Sequence, residues 1–184
     1  INQEGKRFFN ELETRDKVSA AIIGQEGKSA YVVFDEALKG RVKAINQYES
    51  KGLVVKGDTI EDLAKEIGVD PANLKASLET WNKAVADKKD DEFGRTTGMD
   101  NDLSQAPYYA IKIAPGIHHT MGGLKINTKA QVLNKENQPI KGLYASGEVT
   151  GGVHGANRIG GNAVADIIIF GRQAGEQSAA FVKE

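Results

Sequence analysis

The sequence contains no cysteine, which removes disulfides, thiolate metal sites and cysteine nucleophiles together. It also lacks an apolar run long enough to span a bilayer, and its first residues do not read as a signal peptide. Excess charge of one sign is missing too. Lys and Arg number 24 against 25 Asp and Glu, a formal net charge of −1, so nothing electrostatic points to nucleic acid or an anionic membrane as partner. Lack of cysteine does not fix a compartment. What remains is ordinary globular material, 40% hydrophobic and 27% charged over 184 residues, enough for one core or one core with a small appendage. There is no initiating Met, and Ile1-Asn2-Gln3-Glu4-Gly5-Lys6-Arg7-Phe8 reads as the middle of a domain, so a fragment of a larger polypeptide is expected.

Local patterns divide the chain into short elements. A helical patch, Val18–Ile23, ends at Gly24, and the β-branched and aromatic run Ser29–Asp35 reads as a strand. Asp58 or Thr59 caps a helix closed by Gly68, with Leu63 and Ile67 on one face. Asp70-Pro71 restarts the chain as N-cap and first helical residue, followed by Leu74, Leu78, Trp81 and Val85. The charged run Asp87–Glu92 reads as a solvated helix end or loop, and 93–107 as irregular. Tyr108–Ala114 is a second strand. Leu124–Asn127 and Ala130–Asn134 alternate and suggest a hairpin-like excursion, and Gly142–Ser146 reads as a short buried strand. A final helix is expected from about Gly161-Asn162, carrying Val164, Ile167, Ile168, Phe170 and Ala174.

Chemistry concentrates between His118 and Ala163. This stretch holds all three histidines and nine of the 21 glycines, with the motifs His118-His119-Thr120-Met121-Gly122-Gly123, Gly147-Glu148-Val149-Thr150-Gly151-Gly152 and His154-Gly155-Ala156-Asn157-Arg158-Ile159-Gly160-Gly161-Asn162-Ala163. Glycines let backbone approach a ligand closely, and imidazole and guanidinium supply donors for an anion. Gly160-Gly161 running into an apolar helix offers free N–H groups and a positive dipole end, although glycine turns before helices are common. Arg158, three residues earlier, suits a bidentate carboxylate or phosphate clamp. His118-His119 suits anion and cofactor binding better than a metal pair completed by His154, because adjacent histidines diverge and no nearby carboxylate completes a zinc set. Glu148 follows a strand and suits ribose hydroxyls, with a solvated loop glutamate equally compatible. Nothing local marks Thr14-Arg15-Asp16, where Arg15 reads as a helix-start arginine paired with Asp16 or Glu13.

Taken together, these motifs, with Gly5-Lys6-Arg7-Phe8, Asn10-Glu11 and Thr14-Arg15-Asp16, resemble the flavoprotein of the fumarate reductase and succinate dehydrogenase superfamily, in particular the soluble flavocytochrome c type. The resemblance implies an α+β chain: residues 1–117 as most of a capping (clamp) domain, and 118–184 as the C-terminal return into an FAD-binding α/β domain. It implies that His118, Arg158 and the Gly161 backbone grip a dicarboxylate, that His119, Glu148, Ala163 and Val164 contact FAD, and that Arg15 delivers a proton. The implied reaction passes a hydride from flavin N5 to one alkene carbon of fumarate while Arg15 protonates the other, giving succinate. Closure of the capping domain would expel water from the hydride path. Residue chemistry alone assigns Arg15 differently: a guanidinium pKa above roughly 12 suits a carboxylate clamp better than a general acid.

The resemblance also marks what the chain lacks. No strand–Gly-x-Gly-x-x-Gly–helix unit for the FAD pyrophosphate is present, nor the upstream Thr-Glu pair and further histidine, nor a Cys-x-x-Cys-His haem motif. An N-terminal FAD-binding segment is therefore the implied partner, and the isolated chain is expected to bind FAD weakly or not at all. A reductase of another unsaturated acid, such as urocanate, and a non-catalytic folded module are the rival readings. The motifs specify neither the electron donor nor a choice between periplasm and cytoplasm.

Overall fold

In the computed structural model, which describes residues 1–183, the chain divides into two compact units, Ile1–Pro115 and Gly116–Glu184. Helices and strands mix in both, as expected for an α+β chain. Among the described residues no helix is long and apolar enough to cross a membrane.

The first unit runs α1 (Arg15–Ile23), β1 (Ala30–Asp35), α2 (Glu36–Arg41), α3 (Ala44–Ser50), β2 (Val54–Gly57), α4 (Ile60–Ile67), α5 (Pro71–Asp87) and β3 (Tyr108–Ile113). β3 is the central strand of an antiparallel sheet in the order β1-β3-β2, with Phe34 opposite Tyr109 and Val55 opposite Ala110. Alternation along β3 sends its side chains to two faces. Tyr108 and Ala110 join Leu63, Ala64, Leu74 and Leu78 of α4 and α5, whereas Tyr109 joins Phe34 and Ile45. The two-sided burial explains why β3 reads as a continuous apolar run.

The helix boundaries follow their caps. The Thr59 hydroxyl accepts the Asp62 N–H at 3.0 Å, so Thr59 and not Asp58 starts α4. Gly68, at φ 73°, closes it in the left-handed conformation. Asp70 accepts the Asn73 N–H at 2.9 Å ahead of Pro71, which opens α5. Gly57 sets the distance between β2 and α4: a Cβ there would lie 2.2 Å from the Leu63 backbone nitrogen.

Three elements, α2, α3 and β2, were not expected from the sequence. They are short, and α2 and α3 expose most of their residues, so no helical apolar stripe announces them. Leu38 of α2 and Ile45 of α3 nevertheless pack on the Phe34–Tyr109 face of the sheet, where the two rings stack at 5.4 Å. The charged run also departs from expectation, because Asp90 is buried rather than solvated. Its carboxylate takes a bidentate pair from Arg7 at 2.9 and 3.2 Å and accepts the N–H groups of Glu92, Phe93 and Arg95. Arg7 also binds Glu11 at 2.8 and 3.1 Å and lies over the Trp81 and Phe93 rings. These contacts hold the Asp90 carboxyl at about 2, below the ordinary 3.8, through the Arg7 bonds and the backbone donors, which outweigh the effect of burial.

The second unit comprises β4 (Leu124–Lys125), β5 (Gln131–Leu133), β6 (Pro139–Tyr144), β7 (Thr150–Gly151) and α6 (Asn162–Val182). The expected hairpin of 124–127 with 130–134 is reduced to one bridge, Ile126 to Val132. β4 instead pairs in parallel with β7, Leu124 opposite Thr150, and β5 pairs with β6. Alternation within a strand does not encode which distant strand it meets. The expected short buried strand at 142–146 is also corrected: β6 ends at Tyr144, and residues 139–143 are exposed because the strand has β5 as its single ladder partner.

Candidate functional site

Two segments of the second unit are drawn together by glycine. A Cβ on Gly123 would lie 2.2 Å from the Val149 carbonyl oxygen, and one on Gly151 would lie 2.6 Å from the Gly123 nitrogen. Only bare backbone permits this approach. It brings 118–123 alongside 147–151, so that the Thr120 N–H donates to Glu148 Oε1 at 2.8 Å and His119 Nδ1 lies 3.6 Å from Glu148 Oε2. Hydrogen bonding from Thr120, with smaller electrostatic contributions from His119 and Arg158, holds the Glu148 carboxyl below the usual carboxylate range.

His119 meets His154 edge to face, with ring centroids 5.5 Å apart. His154 Nε2 in turn lies 2.9 Å from Asp166 Oδ2, a buried carboxylate in the second turn of α6. Arg158 is 8% exposed, and its buried Nε has no hydrogen-bond partner. Gly161, at φ 87°, is the N-cap of α6, and no side chain caps that end. Ala163 and Val164 form the first turn, Val164 being exposed. His118 is exposed on the segment preceding His119.

The structure thus gathers His119, Glu148, Arg158 and the start of α6 in one unit. Arg15 belongs to the other unit, where it is exposed as the first residue of α1. Of its two expected partners, Asp16 and Glu13, the latter binds Lys17 instead, at 2.9 Å. In the sequence His154 stands only as a possible third metal ligand, and nothing is expected of Asp166. One signal was available, since Asp166 is the single charged residue in the apolar run Ala163-Val164-Ala165-Asp166-Ile167-Ile168.

A family model for the FAD binding domain matches residues 1–164. The chain belongs to that FAD-binding family. It is 55% identical over 179 residues to an NADH:fumarate oxidoreductase of Klebsiella pneumoniae strain 342, covering 97% of this chain and 19% of that protein. It is 49% identical over 184 residues to a cytochrome-type fumarate reductase of Shewanella frigidimarina, covering 100% of this chain and 32% of that protein. Among solved structures, the open conformation of a flavocytochrome c3 fumarate reductase matches with a TM-score of 0.80 at 49% identity, covering 100% of this chain and 32% of that one. The chain therefore spans between a fifth and a third of the length of these relatives.

The residues present fit the flavin end of such a cofactor. The uncapped start of α6 and the unpartnered Nε of Arg158 both suit an electron-rich group. His119, Glu148, Ala163 and Val164, the residues expected to contact FAD, all lie in this unit.

Proposed function

We propose that this chain is part of an FAD-dependent fumarate reductase, with residues 1–117 supplying most of a capping domain and 118–184 completing the FAD-binding domain. It works together with an upstream FAD-binding segment of the same protein and an electron donor outside this chain. Arg158 carries the reading: a guanidinium brought almost wholly out of water yet left with an unsatisfied N–H, in the loop that leads into an uncapped helix. Buried donors without partners are costly, so such a group is arranged for an acceptor that arrives as a ligand.

FAD, when bound, supplies the hydride. Arg158, with His118 and the Gly161 N–H, binds a substrate carboxylate and draws electron density from the conjugated alkene, which lowers the barrier to hydride attack. His119 and Glu148 orient the cofactor, and Glu148, an anion held by Thr120, fixes the His119 side of that contact. The positive end of α6 stabilises the charge that develops where it points. Arg15 is assigned the proton delivered to the second alkene carbon from a guanidinium N–H. Another unsaturated acid such as urocanate is the competing substrate, because the grip formed by Arg158, His118 and Gly161 recognises a carboxylate group that both acids carry.

The test uses the full-length protein with a reduced dye as electron donor, comparing turnover of fumarate with that of urocanate. Fumarate is expected to be reduced faster. Arg158→Ala should abolish turnover and weaken dicarboxylate binding, whereas Arg15→Ala should spare binding more than turnover. Equal and mild effects of the two substitutions would overturn the assignment, and failure with both acids would overturn the function.

A further inference from the structure

The loop that presents Arg158 is unusually free in principle. Between Gly151 and Gly161 it holds five glycines, and Gly152, Gly155 and Gly161 take φ values of 91°, 63° and 87°. Backbone of this kind loses more entropy on ordering than any other. A buried guanidinium cannot keep a fixed direction unless something holds its loop.

His154 lies in the middle of that loop, and its Nε2 bonds to Asp166 of α6 at 2.9 Å. The Asp166 side chain is 3% exposed, and its second oxygen, Oδ1, has no hydrogen-bond partner. Against an ionised carboxylate the imidazole Nε2–H donates, and the bond fixes the direction in which the His154 ring lies. This is how a carboxylate behind an imidazole orients catalytic and metal-bound histidines elsewhere. The same imidazole meets His119 at 5.5 Å and 77°, so it supports the His119–Glu148 contact as well as its own loop.

We infer that His154 and Asp166 form a positioning pair, in which a buried carboxylate on α6 anchors the glycine-rich loop and thereby aims Arg158 at the substrate carboxylate. The aim at substrate rests on the proposed function of Arg158; the anchor itself does not. Neither residue touches the reacting atoms in this account. The pair acts on binding geometry, so its loss should appear in KM before kcat.

The experiment uses the full-length flavoprotein and four variants. His154→Leu and Asp166→Leu remove the bond, the double variant removes both partners, and Asp166→Asn keeps an acceptor for the Nε2 proton. Each Leu variant should raise KM for fumarate by about 10- to 100-fold, the loss of one hydrogen bond to a charged group, with kcat within about threefold. The double variant should be no worse than either single one, and Asp166→Asn should stay within about threefold of the parent. Independently of activity, amide hydrogen exchange across 151–161 should accelerate in the Leu variants and not in Asp166→Asn, with the first unit's amides unchanged as a control for folding. Unchanged exchange would overturn the anchor, and faster exchange with unchanged KM would overturn its link to substrate. A parent that reduces neither acid would sink the proposed function while the exchange result still decides the anchor.

Discussion

Arg7 in the first unit and Arg158 in the second both hold their side chains largely out of water, and they are left in opposite conditions. Arg7 in the first unit gives its guanidinium to Asp90 and Glu11 and lies over two aromatic rings. Arg158 in the second is buried but keeps an unpartnered Nε. The units differ in the same sense throughout. Among the described residues, sixteen of the eighteen buried hydrophobic side chains belong to the first unit, and only Ala130 and Val132 to the second. Conversely, Val164, Ile167, Ile168 and Ile169 of α6 are each more than half exposed. A satisfied, core-backed arginine suits a scaffold, and an unsatisfied one in a glycine-rich loop suits the proposed binding site.

The contrast can be broken most sharply at the two arginines. Arg7→Ala strands a buried carboxylate and should cost about 3–5 kcal/mol of unfolding free energy, read by denaturant melts. Arg158→Ala removes a group with an unmet bond and should cost far less by the same measurement. Comparable losses would erase the distinction. The acid limb offers a second reading. Asp90 sits at about 2 when folded against an ordinary 3.8, so its contribution is complete above about pH 4 and is lost as pH falls toward 2. Replacing Arg7 should flatten that limb of the pH–stability profile.

The glycines should separate the units at smaller cost. Gly57→Ala drives a methyl into the backbone of α4 and should lower the stability of the first unit by about 1–3 kcal/mol or more. Gly123→Ala pushes the His119 segment from Val149 instead, so flavin retention in the full-length protein should fall while the first unit's melting transition holds. Equal effects on both readouts would mean that the units are not distinct in this respect. The smallest effect is expected at the α4 cap, where Thr59→Ala should cost about 1 kcal/mol with no change in flavin content.

How much of this was legible depended on whether the cause was local. Thr59, Gly68 and Asp70-Pro71 announce α4 and α5 because capping is decided within a few residues. β1, β3 and the start of α6 were visible for similar reasons. α2 and α3 were not, since their helicity is enforced by the sheet face they cover and not by a stripe of their own. Asp90 read as solvated because its partner is 83 residues away. In the site, the glycine–histidine words were conspicuous. The Glu148–His119 contact and the Asp166–His154 bond were not, because the first needs the parallel pairing of β4 with β7 and the second a fold-back of the loop onto α6.

The near-collision of Gly123 with the Val149 carbonyl has one more consequence. With no slack between them, the strip bearing His119 cannot shift without dragging the strip that bears Glu148. Whatever leans on the imidazole is thereby felt by the carboxylate, and the influence must run equally in reverse. A ligand seated against one strip would stiffen the other, so tightness of hold at either end becomes a shared property of both.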